Sequence, residues 1–162
     1  MKILFVLAAL LTLGGCPNTA YFEPTPLATS DKAMVYVYRP AASNPGKKPL
    51  TLSYPEVMVD GKSAGFLKYK EYLALQLEPG KKEFLITGLT REAKWEPKDI
   101  SYRLELEPGK TYYLRFGVEF NTSKMSLGTF RGNYLISFYP IDESDAVYEI
   151  RHTSKASTED QR

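Results

Sequence analysis

The sequence predicts an all-β domain over residues 33–151, an antiparallel β-sandwich of about eight strands closed by a short C-terminal helix. Three observations carry this. Apolar residues alternate with polar ones at period two through most of the segment, the pattern of strands with two unlike faces. Turn-forming Asp-Gly and Pro-Gly steps separate the alternating runs. The chain also holds 12 Tyr and 8 Phe, and tyrosine in such numbers suits strands with one wet face.

Ahead of the domain, residues 1–15 read as a secretory signal: Lys2, an apolar run from Ile3 to Leu13 broken only by Thr12, then Gly14 and Gly15. The run is too short for a mature helix across a hydrocarbon core of about 30 Å, which needs about 20 residues. It is expected to be cleaved between Gly15 and Cys16. Leu13-Gly14-Gly15-Cys16 resembles the bacterial lipobox, in which small residues admit the peptidase and the cysteine sulfur receives diacylglycerol. Cys16 is the chain's one cysteine, so no disulfide partner exists, and a free exported thiol would be open to oxidation. At about 0.8 kcal/mol per buried methylene, two or three acyl chains hold a protein durably on a membrane. Pro17, rather than the aspartate typical of inner-membrane retention, favours the outer membrane.

Removal of the signal leaves about 147 residues, enough for one domain with a core. Lys2 leaves with it, lowering the formal charge of +2 by one. That near balance offers nucleic acid no concentrated basic surface. Residues 16–32 follow as lipidated cysteine and flexible stalk, with Pro17, Pro24 and Pro26 among small polar residues. At about 3.1 Å per residue such a segment could lift the domain roughly 40 Å from the bilayer. Tyr21 and Phe22 interrupt it and could either touch the membrane interface or dock on the domain.

The strands follow in order. Met34 to Tyr38 sets Val35 and Val37 on one face, and Glu56 to Asp60 does the same with Val57 and Val59. Asp60-Gly61 is a two-residue turn signal leading into Ser63 to Lys68. Leu73, Leu75 and Leu77 alternate with Tyr72, Ala74 and Gln76; Ile100, Tyr102, Leu104 and Leu106 alternate with Ser101, Arg103, Glu105 and Glu107. Tyr112 to Asn121 and Asn133 to Tyr139 complete the set, in a sandwich of immunoglobulin-like or transthyretin-like kind. Leu75-Gln-Leu77-Glu-Pro-Gly-Lys81 is echoed by Leu104-Glu-Leu106-Glu-Pro-Gly-Lys110, and both Pro-Gly steps are expected to turn hairpins. Asp142 or Ser144 is expected to cap one or two helical turns containing Ala146, Val147 and Ile150, and residues 152–162 form a polar tail expected to fray.

Val57-Met-Val-Asp-Gly-Lys-Ser-Ala-Gly65, Tyr72-Leu-Ala-Leu-Gln-Leu-Glu-Pro-Gly80 and Tyr36-Val-Tyr-Arg-Pro40 together resemble bacterial envelope lipoproteins bearing the domain of unknown function numbered 2846, across roughly Met34 to Ile150. A more distant likeness is to surface-associated domains named for a Pro-Glu-Gly-Ala motif, which Glu78-Pro-Gly replaces here. The first resemblance implies an all-β domain behind a lipidated cysteine and carries no reaction, cofactor or catalytic residue.

No catalytic set emerges from the residues themselves. His152, the one histidine, falls in the polar tail. Acylation would consume Cys16, which also removes the usual Cys/His zinc sites. Glu105, Glu107 and Glu119 fall on outward strand positions, and Asp142 with Asp145 lacks the spacing of a calcium loop. Neither a metal nor a cofactor is expected. Candidate binding residues gather in the irregular Thr90–Asp99 connection, where Trp95 sits beside Arg91, Lys94 and Lys98. Exposed, Trp95 could stack on a sugar or seat in a partner; buried, it plugs the open end of the sandwich. Met125, Phe130 and Arg131 could extend that surface. The expected function is a membrane-anchored, non-enzymatic envelope lipoprotein presenting loops to a protein or glycan partner; a peptidoglycan or glycan binder working through Trp95 is the alternative, and a hydrolase the third.

Overall fold

A computed structural model describes residues 22–42, 52–120 and 134–157 of the chain. Among these the alternating runs form β1 Ala33–Tyr38, β2 Glu56–Val59, β3 Lys62–Phe66, β4 Glu71–Leu77, β5 Gly80–Thr87, β6 Ile100–Leu106, β7 Thr111–Phe120, β8 Tyr134–Ile141, helix α1 Glu143–Ile150 and the short β9 Ser154–Lys155. The strands make a sandwich of a five-stranded sheet, ordered β8-β7-β1-β4-β9, and a four-stranded sheet, ordered β3-β2-β5-β6. Pairing is antiparallel except that β7 and β9 run parallel to β1 and β4 respectively.

Strand β1 shows why the sheets face each other. Its odd-numbered residues Ala33, Val35 and Val37 enter the core between the sheets, against Leu73, Leu114 and Phe116 on the neighbouring strands and Val57, Phe84 and Ile86 on the facing sheet. Tyrosine in such numbers as this chain holds suits strands with one wet face. Instead Met34, Tyr36 and Tyr38 form a second core with Tyr113, Ala146 and Ile150, covered by α1 and by Phe22 and Leu27, so all six β1 residues are buried. Tyrosine serves here as a large flat apolar body whose hydroxyl reaches a polar partner at the edge.

The segment expected to be a free stalk therefore belongs to the domain from Phe22 onward. The Phe22 ring meets Tyr36 edge-on at 5.1 Å and Tyr72 at 5.4 Å. Thr25 N–H donates to the Tyr36 hydroxyl at 2.6 Å, and Ala28 N–H donates to Gln76 Oε1 at 3.3 Å. Docking buries aromatic surface that an extended polyproline segment would leave in water. Cys16, Pro17 and Tyr21 lie outside the described residues.

The turns divide into a confirmed one and a corrected pair. Asp60 (φ 50°) and Gly61 (φ 76°) are both left-handed, the primed turn that matches strand twist, and they join β2 directly to β3. The two Pro-Gly steps are not hairpins. Glu78-Pro79-Gly80 carries the chain from β4 in the five-stranded sheet to β5 in the other, and Glu107-Pro108-Gly109 carries it back from β6 to β7. Gly80 lies opposite Leu106, so the two corners sit side by side at one end. Both glycines have positive φ, at 108° and 74°. The same local chemistry that closes a hairpin here bends a strand from one sheet to the other.

The C-terminal helix begins where expected. Asp142 is its N-cap, although the carboxylate makes no capping hydrogen bond and the Asp142 carbonyl accepts from Ala146 N–H at 2.9 Å. The tail does not fray at once: Ser154 and Lys155 add to β4, and Ala156 is buried, because Ser154 N–H and Ala156 N–H donate to the carbonyls of Lys70 and Tyr72. The fold thus runs past the 151/152 boundary expected from composition.

At the margin of the second core the Tyr38 hydroxyl donates to Glu149 Oε2 at 3.0 Å, and Arg115 Nε donates to the same oxygen at 2.8 Å. The Tyr113 hydroxyl donates to Glu143 Oε1 at 3.1 Å. Burial, reinforced by these carboxylates, pushes the Tyr38 and Tyr113 phenols well above their ordinary value of 10.0. An acid whose folded-state pKa is raised stabilises the fold fully below its unfolded pKa and loses that contribution as pH climbs toward the folded value. Stability is accordingly expected to fall above about pH 10, and Tyr38→Phe to flatten that fall in denaturant titrations; an unchanged slope would contradict the assignment.

Candidate functional site

The Pro-Gly corners occupy one end of the sandwich, and the irregular connections occupy the other. There β1 ends, β2 and β4 begin, β3 and β5 finish, and the 67–70 and 88–99 connections cross. The alternation that sends Ala33, Val35 and Val37 inward sends Arg39 inward too, and its side chain is 3% exposed. Its guanidinium lies 5.4 Å from the Trp95 ring centre, 5.7 Å from Tyr69 and 5.9 Å from Phe116. One terminal nitrogen donates to the Ser53 carbonyl at 3.2 Å.

A cation among ring faces gains from their quadrupoles, and it gains more where water is excluded. Burial draws the Arg39 pKa down to about 10, so the group keeps its charge at neutral pH. One side chain thus joins the end of β1, the approach to β2, the 67–70 and 88–99 connections and β7. This arrangement fixes loops; it does not present a cation to solvent.

Trp95 is the other half of the cage. The sequence left its exposure open, and the structure buries it at 5% exposed, packed edge-on to Phe116 at 5.7 Å. The glycan-stacking use of this ring is corrected accordingly, since its faces meet Arg39 and Phe116 rather than solvent. Lys94, at φ 41°, turns the chain so that its own side chain stays outside while Trp95 goes in. Arg91, Lys94 and Lys98 are exposed around the buried indole. Gly88 packs so closely beneath Trp95 that a Cβ there would strike the Trp95 carbonyl oxygen.

This end also concentrates unpartnered polar atoms. Glu56 Oε2, Thr90 Oγ1 and Trp95 Nε1 are buried with no hydrogen-bond partner among the described residues. Two strongly exposed leucines, Leu52 at 83% and Leu89 at 87%, flank the same loops. Sequence reasoning passed over Arg39 and both leucines, although period-two counting from Val35 and Val37 already points Arg39 inward. Met125, Phe130 and Arg131 lie outside the described residues, as do Gly15 and Cys16. Outward Glu105, Glu107 and Glu119 are exposed, and so is His152, which accepts from Arg151 Nε at 3.1 Å.

The family described as protein of unknown function (DUF2846) matches residues 29–130. The chain belongs to the DUF2846 family. The matched span of this DUF2846 protein takes in β1 to β7, hence Arg39, Trp95 and both sheet-crossing corners, and it ends before β8 and α1, short of the Ile150 to which the sequence resemblance reached. No curated protein and no solved structure matches the chain.

The tight contact beneath Trp95 gives a graded test. Gly88→Ala sets a methyl against fixed backbone and is expected to destabilise by about 1–3 kcal/mol. Gly117→Ala meets only the movable ends of Arg115 and Ser137, and a smaller loss is expected. Denaturant midpoints in the reverse order would contradict the packing described for the loop end.

Proposed function

We propose that this DUF2846 protein is a lipid-anchored lipoprotein of the bacterial envelope, whose sandwich acts without catalysis as an interaction module for an envelope component. The observation that carries the reading is Leu13-Gly14-Gly15-Cys16 at the close of a short apolar run. Two or three acyl chains on one sulfur supply attachment, and the domain needs no membrane-spanning segment of its own.

The non-catalytic part of the reading is supported by where the charged groups are spent. Arg39 is enclosed by rings, Glu149 is held by Tyr38 and Arg115, and Glu143 is held by Tyr113. Each secures one element to another. With Pro17 after the cysteine, we place the anchor in the outer membrane with the domain facing the periplasm.

Metabolic labelling with a tagged fatty acid tests this directly. The wild-type chain is expected to take up label and to fractionate with membranes, and Cys16→Ala to do neither. Label on the variant, or an unlabelled wild type, would overturn the reading.

A further inference from the structure

The docked N-terminal segment has a direction. Ala28 contacts Gln76, which lies opposite Met34 near the start of β1, whereas Phe22 contacts Tyr72, which lies opposite Tyr38 at its end. Traced toward the N-terminus, the chain climbs the sheet from the Pro-Gly corners toward the loop end. Only six residue steps separate Phe22 from Cys16, and fully extended they reach about 20 Å. From the Tyr36 and Tyr72 rings to the end of β1 is about 7 Å at strand spacing. A lipid on Cys16 can therefore bring the bilayer to the loop end, and it does not lie about 40 Å beneath the domain.

The chemistry of that end fits such a neighbour. Leu52 and Leu89 stand out from it almost fully exposed, more so than any other large apolar residue among those described. They belong to the same face of the fold, since the strands they adjoin meet at Glu56 and Thr87. Around them the described connections 52–55, 67–70 and 88–99 carry five cations, of which Lys70, Arg91, Lys94 and Lys98 are exposed, against three exposed carboxylates, Glu92, Glu96 and Asp99. Exposed apolar side chains within a rim richer in cations than in carboxylates suit an interfacial surface on anionic lipid. Tyr54 and Tyr69, half-buried beside them, are of the type that settles at headgroup depth. The Arg39 cage keeps these loops in one arrangement, so the surface is formed before it meets lipid.

We infer that the loop end seats on the surface of the membrane that holds the anchor, with Leu52 and Leu89 entering the interface and Arg91, Lys94 and Lys98 meeting lipid phosphates. The inference rests on the lipid-anchored reading above. It turns the Pro-Gly corners and the outer face of the four-stranded sheet toward the periplasm, where a partner would meet them.

The test uses the full lipidated chain, in which acylated Cys16 offers no thiol, so an added cysteine is the single labelling site. A fluorophore is placed at Glu96→Cys in the loop end or at Glu107→Cys at the corner end, two exposed positions with the same change of charge. The protein is reconstituted in vesicles of phosphatidylethanolamine and phosphatidylglycerol that carry a nitroxide on the acyl chain. Quenching is expected to be several-fold greater at position 96 than at 107, and the pair Leu52→Ser with Leu89→Ser is expected to reduce it. Equal or stronger quenching at 107, no quenching at either position on vesicle-bound protein, or indifference to the leucines overturns the inference while leaving the anchor intact. A reactive Cys16 thiol and absence from the vesicles would overturn the anchored reading and the inference together.

Discussion

Both faces of β1 are buried, and the rest of the molecule is arranged around that constraint. A strand in the middle of a sheet whose odd residues are Ala, Val and Val would ordinarily face a partner sheet on one side and water on the other. Here the opposite face carries Met34, Tyr36 and Tyr38, too much apolar surface to leave wet. It is covered from two directions: α1 brings Ala146 and Ile150, and the segment before β1 brings Phe22 and Leu27. Each of the two coverings is short and would have little stability alone. The two-sided strand supplies the surface that holds them.

The same alternation explains the functional end. Arg39 follows Val37 by two residues, so it is carried into the interior where β1 leaves the sheet. Three rings and the Ser53 carbonyl surround the charge, and together they tie the approach to β2, the 67–70 and 88–99 connections and β7 to one side chain. Trp95, the residue most suggestive of recognition in the sequence, is absorbed by this task. The groups left at the surface are the leucines and charged side chains around it, and on the proposed lipid-anchored reading it is a membrane that they meet.

Much of this was legible in the sequence. Period two gave the strands and their inner faces, and Asp60-Gly61 gave its turn, because both depend on neighbours within a few residues. The Pro-Gly steps were legible as turns but not as sheet crossings: φ preferences specify a local reversal and say nothing of which sheet the next strand joins. The docking of Phe22 was open for the same reason, since its partners Tyr36 and Tyr72 are distant in sequence. Ser154 to Ala156 read as a polar tail because β9 is held by backbone groups of β4, for which side-chain composition gives no signal. Arg39 was legible by counting, yet a charge between hydrophobic residues and a proline is more readily taken as the end of a strand.

The docking of the segment from Phe22 onward on the sheet links the fold to the proposed orientation on the membrane. A free stalk would let the loop end face any direction; docking from Phe22 onward shortens the reach from the proposed anchor to about 20 Å. Hydrogen–deuterium exchange on the lipidated protein in vesicles measures this most directly. The amides of Thr25 and Ala28, which donate to Tyr36 and Gln76, are expected to exchange far more slowly than an unstructured chain, in step with the amides of β4. Exchange of residues 22–28 at the rate of a free peptide, with β1 and β4 still protected, would contradict the account.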